Sequence, residues 1–329
     1  MPQLCVIPGD GIGLEVIPAA TAVLQAAIPH LELIEAEAGW TYFQKHGVSV
    51  PEATLTAVRA CGAGLFGAVS SPSRKVAGYR SAILTLRQEL DLYANIRPVT
   101  SWPNVSPRPG IDMIIVRENT EGLYSGRERL ENGDPETAVA ERVITRRASL
   151  RIGRRAREIM QSQGRRKLTI VHKANVLPLT DGLFRDCVRE VFDGETAVTI
   201  EELLVDVAAL KMVAEPERFD VIVTTNLFGD ILSDAAAYWG GGLGLAPSLN
   251  WGEGCAVAEP VHGSALDIAG QGIANPIAAI LSGALLARHV WGLAEAAEAI
   301  ETAVTRVLST QPNLQGTTAV ATAVIKALP

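Results

Sequence analysis

A chain of 329 residues with 48% hydrophobic content holds enough apolar material for two domains or one large one. Its formal net charge of −7 and sequence pI near 5.4 argue against nucleic acid or an acidic membrane surface as the main partner. The most apolar segment, 277–287, is too short to span a bilayer, and the N-terminus "MPQLCVIPGDG" lacks the basic start of a signal peptide, so a cytoplasmic location is the expectation. In chain order, the run 4–7 reads as a strand and passes through "PGDGIGLEV" (8–16) into a helical pattern over 14–27. Gly9, Gly11 and Gly13 suggest a phosphate-cradling loop, but the third glycine of G-x-G-x-x-G is missing. A tight turn that needs glycine accounts for them.

A helical pattern over 52–60 and a strand over 64–68 follow. Arg87 and Arg97 flank an apolar turn in "LRQELDLYANIRP" (86–98), and Arg117 follows the strand 113–116. Arginine is the residue for bidentate carboxylate recognition, so three of them near element ends suit a polyanionic small acid. The Pro-rich passage 97–110 is a boundary candidate. Tyr124 in "RENTEGLY" is a candidate proton donor, and the polar segment around 125–136 reads as an arm or loop. Arg146, Arg147, Arg151, Arg154, Arg155 and Arg157 read as the wet face of the helix 148–161 rather than as a phosphate site.

The strand 168–171 leads to Lys173 and Asn175, ahead of a helical pattern over 181–191. A lysine beside an apolar strand end is a candidate base if burial depresses its pKa. The β-branched run 221–225 breaks at Asn226 and Gly229 into a segment carrying Asp230 and Asp234. On a helix that spacing puts both acids on one face, where like charges repel. A divalent cation held by oxygen ligands would compensate them; a solvated helix start favoured by the dipole is the other reading. After a Gly-rich boundary candidate (240–248) comes the loop 259–276 with His262, Asp267 and Asn275. No second histidine sits at ligand spacing, which favours packing or a cofactor contact over a zinc site. A last helical pattern covers 278–288. The cysteines at 5, 61, 187 and 255 form no CxxC pair and read as buried thiols. Alternation of strands and helices argues for an α/β architecture with sheets covered on both faces.

The pieces "PGDGIG", "LDLYANIRP", "VRENTEGLY", "HKANV", "NLFGDILSD", "GGLGLAPS" and "HGSALDIAGQGIANP" occur in one order across nearly the whole chain. Together they resemble the β-decarboxylating dehydrogenase family of isocitrate, 3-isopropylmalate and homoisocitrate dehydrogenases. The resemblance implies a two-domain isocitrate/isopropylmalate dehydrogenase-like α/β fold, not a standard Rossmann fold. Residues 1–93 and 240–329 would form a first domain with the cofactor loops, and 94–239 a second with dimer contacts, metal and catalytic residues, the active site lying in the cleft between them. It further implies a homodimer with shared sites, pairing into tetramers being left open. Asp230 and Asp234 would hold Mg²⁺ or Mn²⁺ together with Asp206 of the partner subunit. Lys173, donated across the dimer, would take the proton of the substrate hydroxyl, Arg87, Arg97 and Arg117 would hold carboxylates, and Tyr124 would return a proton. Asn175 would touch substrate and cofactor, and Glu259, His262, Gly263, Ser264, Ala265, Asp267 and Asn275 would complete the cofactor site. The acid at 267 matches members that use NAD, since a carboxylate there would repel a 2′-phosphate. Leu266 stands where the family usually has proline.

For the substrate, the loop "SSPSRKVAGYRSAILTLR" (70–87) resembles homoisocitrate dehydrogenases more than isopropylmalate enzymes. Ser81 matches a serine set against the distal carboxylate in isocitrate-type members, and Arg80 stands where isopropylmalate enzymes tend to carry an acid. An arginine left unpaired by an isopropyl group is penalised, which favours a 2-hydroxy tricarboxylic acid. Leu84, where some homoisocitrate enzymes carry an extra arginine, argues the other way. One methylene separates homoisocitrate from isocitrate, worth only about 1–3 kcal/mol in a pocket. The expectation is homoisocitrate to 2-oxoadipate and CO₂ first, isocitrate to 2-oxoglutarate second and 3-isopropylmalate third; lysine synthesis would follow only from the first. A metal-dependent phosphohydrolase or a non-catalytic acid-binding protein is the alternative of another class, but neither gives a reason for Lys173, Tyr124 and Asp267.

Overall fold

Each strand expected from an apolar run is present in the computed structural model, which describes residues 1–74 and 76–329. Lys75, within the 70–87 loop, lies outside the described residues. The chain forms two compact units. The first comprises Met1–Leu92, Ser101–Pro109 and Ala237–Pro329, and the second Tyr93–Thr100 and Gly110–Ala236. The expected division put all of 94–239 in the second. Ser101–Pro109 belongs instead to the first, where the Asn104 amide donates to the Ser309 carbonyl at 2.9 Å and the Arg108 guanidinium lies 5.3 Å from the Trp239 ring centre.

In the first unit, strands Glu32–Glu35, Gln3–Gly9, Ala63–Ala68, Ala256–Pro260 and Pro247–Trp251 lie side by side in that order. All neighbours are parallel except the last pair. Ala63–Ala68 is buried at every position, as a strand covered on both faces must be. On one face Cys5, Ile7, Phe66 and Val257 pack with Leu55 and Val58 of helix Glu52–Cys61 and with Leu86 of helix Ala82–Glu89. Helix Gly13–Ala27 packs on the same sheet and against helices Ile277–His289 and Thr317–Ala327. The "PGDGIG" turn needs its glycines for close approach. A Cβ on Gly9 (φ +74°) would lie 2.0 Å from the Ala68 carbonyl oxygen, and one on Gly11 (φ +55°) 2.1 Å from that of Ser264.

In the second unit the order is Ala94–Thr100, Asp112–Glu118, Val221–Thr224, Lys167–His172 and Thr199–Leu204. The first pair is antiparallel and the rest are parallel. Helices Arg146–Gln163 and Thr180–Val191 pack together, burying Ile152, Ala156, Phe184 and Val188. The polar segment expected as an arm or loop is an antiparallel ribbon, Glu128–Leu130 paired with Ala138–Ala140. The wet-face reading of the arginine-rich helix holds for Arg146, Arg147 and Arg154 but not for Arg155. That side chain is buried, donating to the Tyr93 hydroxyl at 2.9 Å and to Glu158 at 2.8 Å. The four cysteines are free thiols, three buried and Cys61 half-buried. Among the described residues no helix is long and apolar enough to cross a membrane.

Candidate active site

The second unit brings together five of the expected residues. Strand Val221–Thr224 ends directly in helix Asn226–Ala237, so Asp230 and Asp234 stand one turn apart on the same helical face. Their charges are answered by arginines from neighbouring strands. Arg97, inside strand Ala94–Thr100 rather than beside the turn, reaches Asp234 at 2.8 Å and Asp230 at 3.6 Å. Arg117, 1% exposed, pairs with the same oxygen of Asp230. The Tyr124 hydroxyl donates to the other oxygen of Asp230 at 2.5 Å. Burial first, then the Asp230 carboxylate, raise the Tyr124 pKa above its usual value, so the phenol keeps its proton.

Asn226 and Gly229 do not break the chain but belong to this helix, and each serves Arg117. The Asn226 amide oxygen accepts from Arg117 Nη2 at 2.7 Å and from Nε at 3.1 Å, while its Nδ2 donates to the Glu121 carbonyl at 3.1 Å. A Cβ on Gly229 would lie 2.6 Å from Arg117 Cγ. Gly229→Ala is therefore expected to displace Arg117, lowering kcat/KM by about tenfold or more and costing about 1–3 kcal/mol of stability through overpacking. Steady-state kinetics and thermal melts check both.

Glu121, on the turn leading to Tyr124, was not anticipated. It is 9% exposed and accepts from the Thr145 amide and hydroxyl, both at 2.9 Å. Burial, opposed in part by those bonds, pushes its pKa from 4.5 to about 7. A folded-state pKa above the unfolded value means the folded protein keeps a proton that the unfolded chain has lost. Stability from this group is full below pH 4.5 and is lost as pH rises to about 7. Glu121→Gln should remove that slope and stabilise the protein above neutrality by on the order of 2–3 kcal/mol. Denaturant unfolding at a series of pH values reads the slope.

Lys173 follows strand Lys167–His172. Its ammonium pairs with Asp206 at the start of helix Val205–Ala214, and its backbone amide donates to the fully buried Asp181 at 2.6 Å. The bond from Lys173 holds the Asp206 carboxyl below its usual pKa. Asn175 is exposed. Asp206 thus sits with Lys173 within one chain, and among the described residues no three His, Cys, Asp or Glu side chains are grouped to hold a metal. The pair Asp230 and Asp234 nonetheless fits a hard divalent cation. Both are carboxylates, one-third and one-half exposed, and so offer hard oxygen donors that a cation can reach.

The first unit holds the remaining candidates. Arg87 is buried and pairs with Glu259 at 2.9 Å, which also accepts from the Asn250 amide at 2.8 Å. Arg80 makes a 3.8 Å surface pair with Glu89, and Ser81 precedes helix Ala82–Glu89. In the loop after strand Ala256–Pro260, His262 Nδ1 faces the Gly263 carbonyl at 3.0 Å, while its Nε2 is buried with no hydrogen-bond partner among the described residues. Burial lowers its pKa, so the imidazole is neutral. Ser264 accepts from the Ile12 amide through its carbonyl, Ala265 takes the left-handed conformation (φ +38°), and Asp267 is exposed. Asn275 accepts from the Ile277 amide at the next helix start. Glu15, also unanticipated, accepts the amides of Gly270 and Gly272 at 2.5 and 2.7 Å and so fixes this loop. The orphaned His262 nitrogen and the exposed Asp267 fit a nucleotide cofactor.

Sequence and structure comparisons give the family of the chain. The family described as isocitrate/isopropylmalate dehydrogenase matches residues 3–324. The chain is 56% identical over 310 residues to an isocitrate/homoisocitrate dehydrogenase of Thermus thermophilus, covering 94% of this chain and 92% of that one. It is 46% identical over 309 residues to a 3-isopropylmalate dehydrogenase of Archaeoglobus fulgidus, with the same coverage. The crystal structure of isocitrate dehydrogenase from Methylococcus capsulatus superposes with a TM-score of 0.94 at 40% identity over 99% of each chain.

Proposed function

Because this chain belongs to the isocitrate/isopropylmalate dehydrogenase family and is a β-decarboxylating dehydrogenase, we propose that its reaction is the NAD-dependent oxidative decarboxylation of homoisocitrate to 2-oxoadipate, with isocitrate as a second substrate. The observation that carries the reading is the cluster of Arg97, Arg117, Tyr124, Asp230 and Asp234. Two fixed guanidinium groups bind carboxylates, and Asp230 and Asp234 would hold Mg²⁺ or Mn²⁺. A bound cation would supply acidity to the substrate hydroxyl, and a bound nicotinamide would supply the hydride acceptor. Lys173 takes the hydroxyl proton once its Nζ is released from Asp206 as the neutral amine. Arg97 and Arg117, held by Asp234, Asp230 and Asn226, keep the carboxylates aligned and offset the charge left as CO₂ departs. The Tyr124 phenol, kept protonated by burial and by Asp230, then supplies a proton to that carbon.

Asp206, Leu210 and Val213 share one face of helix Val205–Ala214, and all three are more than 60% exposed. A second copy of the chain covering that face buries the two apolar side chains and carries Asp206 and Lys173 toward the acids of its neighbour. Asp267, through its negative charge, selects NAD over NADP. Arg80 and Ser81 read the distal carboxylate. Support for homoisocitrate comes from the Thermus thermophilus relative, named for isocitrate and homoisocitrate, and the isopropylmalate reading is favoured by the Archaeoglobus fulgidus one. The deciding experiment is kcat/KM with homoisocitrate, isocitrate and 3-isopropylmalate, each with NAD and with NADP in the presence of Mg²⁺, followed by cofactor absorbance. A lead for homoisocitrate with NAD is expected, and a lead for isopropylmalate overturns the substrate assignment.

A further inference from the structure

We propose that Arg142 is a positioning residue that ties the Lys173 turn, the start of the Asp230 helix and the Tyr124 turn into one arrangement, an inference that rests on the roles assigned above to Lys173, Asp230 and Tyr124. Arg142 follows the antiparallel ribbon, and its side chain is 13% exposed. One terminal nitrogen, Nη2, lies 2.8 Å from the fully buried Asp181 carboxylate and donates to the Thr225 hydroxyl, also at 2.8 Å. The guanidinium carbon stacks 4.5 Å from the centre of the Phe228 ring.

These contacts lead to two catalytic segments, and the residue after Arg142 leads to a third. Asp181 spends its other oxygen on the Lys173 amide at 2.6 Å, so the carboxylate that fixes the lysine turn is the one Arg142 neutralises. Thr225 closes strand Val221–Thr224, and its carbonyl accepts the Gly229 amide at 2.9 Å in the first turn of the Asp230 helix. Phe228 is on the same turn. On the backbone, Val143 and Gly122 exchange hydrogen bonds of 2.8 and 3.3 Å, which fixes the entry to the Tyr124 turn beside Arg142 itself. A buried carboxylate stripped of its cation is costly, so Asp181 cannot hold the Lys173 amide unchanged once Arg142 is gone. Lysine offers a point charge in place of the planar fork and restores only part of this set.

The test compares Arg142→Met, Arg142→Lys and Thr225→Val with Lys173→Met as the reference. Positioning predicts that Arg142→Met lowers kcat by about 30-fold or more while KM for NAD stays within about twofold. Arg142→Lys should recover part of the loss, and Thr225→Val, which removes one bond without touching the ion pair, should cost about threefold or more in kcat. Hydrogen exchange of the peptide containing Lys173 should quicken in Arg142→Met. If Arg142→Met fails to fold, Thr225→Val and Arg142→Lys carry the decision. Normal kcat in the foldable Arg142 and Thr225 variants beside an inactive Lys173→Met overturns the inference alone. A Lys173→Met protein with normal turnover overturns the assigned role of Lys173, and with it this inference.

Discussion

Lys173→Met is expected to lower kcat by about 10²–10⁴-fold, the range for losing a positioned general base, while leaving binding of NAD unchanged. Methionine keeps the length and apolar stem of the side chain but cannot take a proton. Little stability should be lost, because the Asp206 side of its ion pair is mostly exposed and pairs with one solvated partner contribute weakly. The melting temperature is the control for this point: an inactive variant that melts near wild type has lost chemistry, not fold. Tyr124→Phe should reproduce the pattern at the other proton transfer, and near-normal turnover in both variants would remove the assignments.

The second large effect is expected at Asp230→Asn. The amide matches the carboxylate in shape, so the change reads charge alone. Asp230 is the anionic partner of Arg117, the largest fully buried side chain among the described residues, and the acceptor of the Tyr124 hydroxyl. The variant should need about 100-fold more Mn²⁺ for half-maximal activity, in line with the dependence of such sites on ligand charge. Calorimetric titration with Mn²⁺ alone should show the same weakening without any turnover. Leaving the Arg117 guanidinium short of its anion should cost about 1–3 kcal/mol of stability, moderated by its remaining bonds to Asn226. A metal requirement equal to wild type would show that Asp230 serves the arginines and not a cation.

What could be read in advance follows from how far each interaction reaches along the chain. Strands such as Val221–Thr224 and Ala63–Ala68 announce themselves because every residue contributes to a local apolar run. The pairing of Asp230 with Asp234 is legible for the same reason, since helix geometry converts a spacing into a shared face. Gly229 misled because glycine is a breaker by local propensity, whereas here it is needed inside the helix for the Arg117 side chain of another strand. Arg155 misled in the same way, taken for part of a wet face when Tyr93 receives it. Asn226, Glu121, Glu15 and the Arg142–Asp181 pair join positions far apart in sequence, and nothing periodic marks such bonds. Helices Ala294–Thr310 and Thr317–Ala327 are a different case. Ala297, Ile300, Val304 and Val307 carry the helical period, so the sequence does hold a local signal for the first of them.

The three-part composition of the first unit bears on how the protein is made. Strand Ala63–Ala68 has Ala256–Pro260 as a parallel neighbour, and helix Gly13–Ala27 packs on helices near the C-terminus. During synthesis the early strands therefore emerge long before the segments that cover them, while most of the second unit is complete in one stretch. Such distant pairings pay loop-closure entropy before contacts reward it, so refolding of the first unit should be the slow phase. Nascent chains halted just past Ala236 would leave strand Ala63–Ala68 without its Ala256–Pro260 neighbour and helix Gly13–Ala27 without its helical partners, the kind of surface that chaperones hold.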